Sequence, residues 1–157
     1  MKRTLSLFLA ALLALTLTAC GQTAATPGEN LCQVFLDLHQ ENPEADVLTL
    51  AEELLSHESI PFAGAVAQVE PGLLAGFGNT EITGFQSAAT FGPVIGTIPF
   101  IGYLFQLDDP GAGAAFCQVL QDAADPQWNI CTQADETIVR QDGDLVFFLM
   151  CPLDWAG

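Results

Sequence analysis

Ser56, His57 and Glu58 place a nucleophile, a base and an acid at three consecutive positions. These are the residue types of an acyl-transfer triad. Consecutive residues on a helix point in different directions, so they cannot form a triad with one another. No Gly-x-Ser-x-Gly elbow accompanies them. His39 and His57 are the only histidines, and they do not have His-x-x-x-His spacing. Asp135, Glu136, Asp142 and Asp144 flank one turn and could gather a weak calcium ion, but they lack the fixed loop spacing of a strong site. Any two of the 19 acids could serve a hydrolase, with Trp128 or Trp155 as sugar-stacking candidates. The apolar neighbours of Trp128 instead place it against a sheet. The glycines of residues 60–100 form neither a dinucleotide fingerprint nor a phosphate loop. The sequence therefore nominates no catalytic residue, no metal-ligand set and no cofactor.

Cysteine chemistry remains. Cys20 closes the run Leu17-Thr18-Ala19-Cys20, beyond an apolar stretch that follows Lys2 and Arg3. A basic start, a short apolar core and small residues before a cut make an export signal. The stretch from Leu5 to Ala19 is shorter than the ~20 residues of a spanning helix. The Leu-x-Ala-Cys ending resembles a bacterial lipobox. That resemblance implies removal of residues 1–19, lipid on the Cys20 sulfur, and anchorage to the outer face of the cytoplasmic membrane or to another envelope membrane. Two acyl chains suffice for stable anchoring without a basic patch.

Cys32, Cys117, Cys131 and Cys151 would remain. An even number in an exported chain predicts two disulfides. All three pairings are open, with a preference for Cys117–Cys131 and Cys32–Cys151. No Cys-x-x-Cys supports zinc or thioredoxin-like chemistry.

The formal net charge is −16. Beyond Cys20, Arg140 is the only Lys or Arg against 19 acids. Such a chain repels nucleic acid and anionic headgroups. Its expected contacts are the membrane, through the lipid, and a protein or cationic ligand.

Residues 20–29 form the expected tether, with its polar stretch 21–28 reaching ~16 Å as a flexible coil. A single domain should span 30–157. Leu31, Val34, Phe35 and Leu38 recur with helical spacing behind Asn30. Val47, Leu50, Ala51 and Leu54 repeat it behind Asn42-Pro43. Residues 60–100 are nearly uncharged and rich in breakers, predicting loops and short strands. Ile101, Tyr103, Phe105 and Leu107 alternate as a strand. Asp109-Pro110 then opens a helix bearing Phe116 and Leu120, which Asp125-Pro126 ends. Trp128, Ile130 and Cys131 suggest a short return strand. Asp142-Gly143 predicts a type I′ hairpin pairing Gln141 with Asp144 and Val139 with Val146. Both faces of 145–150 are apolar, which predicts an interior strand. The fold class is α+β. The two N-terminal helices and the third helix are expected on one face of a mainly antiparallel sheet, above a C-terminal strand-helix-strand-hairpin unit.

Tyr103-x-Phe105, Asp125-Pro126-x-Trp128, Cys131, Ala134-Asp135, Val139, Gly143-Asp144, Val146 and Met150 together carry a likeness. Residues 98–150 resemble an uncharacterised family of lipoproteins from clostridia and other Firmicutes. The resemblance implies an envelope location and this architecture, and it assigns no reaction. On this reading the chain is a membrane-anchored binding or interaction module. The rivals are an envelope hydrolase with an acid pair and a calcium-stabilised accessory protein.

Overall fold

The structure, a computed structural model, describes residues 24–155. The signal sequence, the lipobox and Cys20 lie outside the described residues. Five strands form one antiparallel sheet: β1 (Gly64–Val69), β4 (Phe85–Pro93), β5 (Ile101–Leu107), β7 (Leu145–Cys151) and β6 (Glu136–Asp142), in that spatial order. A separate two-stranded ribbon joins β2 (Gly72–Leu73) to β3 (Glu81–Ile82).

The N-terminal helix α1 (Pro27–Glu41) starts inside the expected tether. Thr26 accepts from the Glu29 amide, and the Glu29 carboxylate accepts from the Thr26 amide. This reciprocal capping box, with Pro27 in the first turn, outcompetes the Asn30 start. Helix α2 (Val47–Leu55) likewise begins at Asp46, whose carboxylate accepts from Thr49. Asn42-Pro43 instead belongs to a turn closed by the Ala45 amide on Asn42.

The third helix, α3 (Gly113–Ala123), follows a 3₁₀ turn at Pro110–Ala112 capped by Asp109. It covers the opposite face of the sheet from α1 and α2, which corrects the one-face expectation. Phe35, Leu50 and Leu54 of the first two helices pack with Phe91, Leu104, Phe147 and Leu149. Phe116 and Leu120 of α3 pack with Phe105, Val146 and Phe148. β7 makes this necessary: all seven of its residues are buried, so each face needs its own apolar cover. Residues 74–85 supply part of that second cover through Phe77, Ile82 and Phe85.

Two local expectations fail for identifiable reasons. Residues 127–133 form turns rather than a strand, and Ile130 is 97% exposed. The hairpin pairs Asp142 with Leu145 and Gln141 with Val146, so the turn sits one residue further along and the pairing is shifted by two. Gly143 has φ +61°, and among the described residues no non-glycine residue has positive φ. The turn is thus Gly143-Asp144 with only its first residue left-handed, as a type II′ turn requires, rather than type I′.

The sheet has two distinct ends. At one end lie Gly64, Pro93, Ile101, Cys151 and Glu136, linked by the strand register. The Thr26 hydroxyl bonds the Glu136 carboxylate there, so α1 begins at this end. At the other end lie Val69, Leu107 and the Gly143 turn, where His39 of α1 meets Asp142 at 2.8 Å.

Candidate functional site at the open sheet edges

Among the described residues, Cys32, Cys117, Cys131 and Cys151 are free thiols. This corrects the predicted disulfides, and the geometry gives the reason. Cys32 and Cys151 belong to the core beneath α1, whereas Cys117 packs on the opposite face of the sheet. Cys131 is exposed in the 127–133 turns. Cys117 packs against the core on the α3 side, and Cys131 does not join it there. The Cys151 sulfur lies against Gly28 and donates to the Glu136 carboxylate at 3.8 Å. Cys32, a full turn further along α1, meets the Arg140 guanidinium instead.

Burial pushes the Cys32 thiol up, and the Arg140 guanidinium opposes this only in part. Burial, with Glu136 and Asp135 adding negative charge, pushes Cys151 far up. Burial also raises Cys117. These three are therefore neutral thiols at neutral pH, which suits packing and not nucleophilic attack.

The other candidates are dispersed. Ser56 caps the end of α2, and His57 follows in a turn where Nδ1 meets the Ser59 hydroxyl at 2.9 Å. Asp135 and Glu136 sit at one end of β6, and Asp142 and Asp144 at the other, ~20 Å away along the strand. Asp135 accepts from the Leu153 amide, Asp142 pairs with His39, and Asp144 accepts from Gln106. Among the described residues, no group of three or more His, Cys, Asp or Glu side chains is placed to hold a metal. Trp128 packs against the α3 side of the sheet. Trp155 is buried against Phe100 and donates to the Ser59 carbonyl.

The structure adds two open strand edges that hydropathy alone did not single out. Among the described residues, β1 pairs only with β4, and β6 pairs only with β7. The β6 edge carries Glu136, Arg140 and Asp142, and it lies in a groove of about 330 Å³. Glu29 and Cys32 of α1 and Gln121 of α3 line its two walls. The β1 edge differs. From Ile60 to Val69 the chain has no charged residue, and β1 has no proline. Its register with β4 runs without a bulge from Gly64–Pro93 to Val69–Ala88. Ala65, Ala67 and Gln68 are exposed. On the sheet face inward of this edge an apolar concavity of about 270 Å³ spans β1, β4 and β5 and is lined by Ala65, Ala67, Thr90, Gly92 and Ile101.

Soluble proteins blunt open edges with charge, proline, bulges or a covering element. β6 is blunted by charge; β1 uses neither charge, proline nor bulge. Comparison with protein-family models, curated proteins and solved structures finds no match to the chain.

Proposed function

We propose that this chain is a lipid-anchored, extracytoplasmic interaction module that takes up an extended segment of a partner protein along β1. The lipobox ending at Cys20 and the likeness of residues 98–150 to clostridial lipoproteins support the location. The observation that carries the interaction is the uncharged, unbulged edge of β1. An added strand gains backbone hydrogen bonds from such an edge, and adjoining pockets read its alternate side chains. The concavity beside Ala65 and Ala67 is shaped for small apolar side chains of that kind.

The test is photo-crosslinking in intact cells from a probe at Gln68, compared with a probe at Thr137 on β6. The reading expects a discrete adduct from Gln68, its loss when Ala65→Lys places a charge on the edge, and no equivalent adduct from Thr137. Adducts from Thr137 alone would move the docking site to the β6 groove.

A further inference from the structure

Resting on the anchored reading above, we infer that the end of the sheet where α1 begins is a lipid-contacting rim, with Val94, Ile95, Ile130 and Leu153 seated in the outer-leaflet interface. These side chains are 66%, 71%, 97% and 53% exposed, respectively; Leu73 and Val119 are exposed singly elsewhere, and it is the grouping of these four that marks a contact surface. They come from three separate segments that the fold gathers at one end. Val94 and Ile95 follow β4, and the Val94 amide bonds Ala63 just before β1. Ile130 belongs to the 127–133 turns, and Asn129 ties these to the Gly96 carbonyl at 2.7 Å. Leu153 follows β7, its amide held by Asp135.

Two further observations name the occupant. The described chain begins at this end, since Thr26 is bonded to Glu136. From Cys20 to Ala24 the chain spans at most ~14 Å, whereas the seven-residue strands run ~23 Å. A lipid on Cys20 therefore brings this end, and not the Gly143 end, to the bilayer. The loops that carry Val94, Ile95 and Ile130 are themselves uncharged. Residues 82–107 and 126–134 contain no charged residue. Glu29, Glu58, Asp125, Asp135, Glu136 and Asp154 also lie at this end, outside those two loops, and Glu29, Asp125, Asp135 and Glu136 are held in local hydrogen bonds. Glu44, Asp46, Glu70, Asp108, Asp142 and Asp144 gather towards the opposite end. Uncharged loops bearing exposed aliphatics, at the end nearest the anchor, suit insertion among lipid headgroups.

The full lipidated protein, reconstituted in phosphatidylcholine vesicles, carries an environment-sensitive fluorophore on the exposed Cys131, beside Ile130. A comparison sample has Cys131→Ser with Glu70→Cys labelled at the opposite end. Vesicle flotation and the N-terminal mass report the anchor; quenching by spin-labelled lipid reports the rim. The inference expects a blue shift and loss of emission at Cys131, neither change at position 70, and reversal at Cys131 by Ile130→Asp while flotation persists. Equal or absent quenching at both positions in protein that floats with lipid on Cys20 overturns the rim and leaves the anchor standing. Protein that lacks the lipid and does not float overturns both.

Discussion

Gly102→Ala should destabilise the domain, against the usual effect of removing glycine from a strand. An alanine there would ordinarily gain about 0.5–1 kcal/mol from reduced backbone entropy. Gly102 stands directly opposite Phe91 across β4 and β5. A Cβ on Gly102 would lie 2.2–2.5 Å from three atoms of the Phe91 ring. That ring is buried, and it packs with Phe100 and Phe147 at centroid distances of 6.0 and 6.3 Å. A rigid ring held on several sides cannot swing aside, so overpacking should cost about 1–3 kcal/mol. At mid-range values the net loss is then about 1 kcal/mol, read as a lower urea midpoint with an unchanged slope. Shortening the ring should relieve the clash. The double variant Gly102→Ala/Phe91→Leu should be more stable than the sum of the single effects by about 1 kcal/mol. A neutral or stabilising Gly102→Ala would refute the β4–β5 register. The placement of Val94, Ile95 and the β1 edge depends on that register.

Other outcomes follow from single contacts. Thr26→Ala removes both the capping box and the bond to Glu136, so thermal melts should show a loss of about 1–2 kcal/mol; no loss would return residue 26 to the tether. Tyr103 is the chain's one tyrosine, and burial pushes its phenol up to about 12 from 10.0. Between those values the unfolded chain releases the proton first, so stability should fall by about 2–3 kcal/mol from pH 10 to 12. Tyrosinate absorbance and Tyr103→Phe melts check this, since the variant should lose that part of the decline. Native alkylation should modify Cys131 first, with Cys32 and Cys151 reacting only on unfolding, and prior reduction should change nothing; thiols that become available only after reduction would restore the disulfides.

Much of the fold was legible because the signals were local and strong. The alternation from Ile101 to Leu107 gave β5 with its exact ends, and Asp109-Pro110 and Asp125-Pro126 bracketed α3. The apolar faces of 145–150 gave an interior strand. The same observation also implied that both faces of the sheet need cover, but periodicity does not say which helix goes where. Competition between caps decided the helix starts: Thr26 with Glu29 over Asn30, and Asp46 over Asn42. Whether a turn places one or two residues at positive φ fixed the hairpin register, and Asp142-Gly143-Asp144 is compatible with either. Cysteine number says nothing about distance, so the separation of Cys117 from Cys32 and Cys151 by the sheet was not readable. The open edge of β1 was hidden for a related reason. Its lack of charge was visible, but its place at the end of the strand order depends on long-range pairing.

Attachment at Cys20 underlies both proposals, the orientation of the domain at the bilayer and the docking of a partner strand on β1. Intact-mass and fragment analysis of the mature protein, extracted from the membranes of expressing bacteria, tests this most directly. The expected result is an N-terminus at Cys20 with a diacylglyceryl group on its sulfur, and loss of the membrane-bound form in Cys20→Ala. A mature chain that begins elsewhere, or an unmodified Cys20 in membrane-extracted protein, would contradict it.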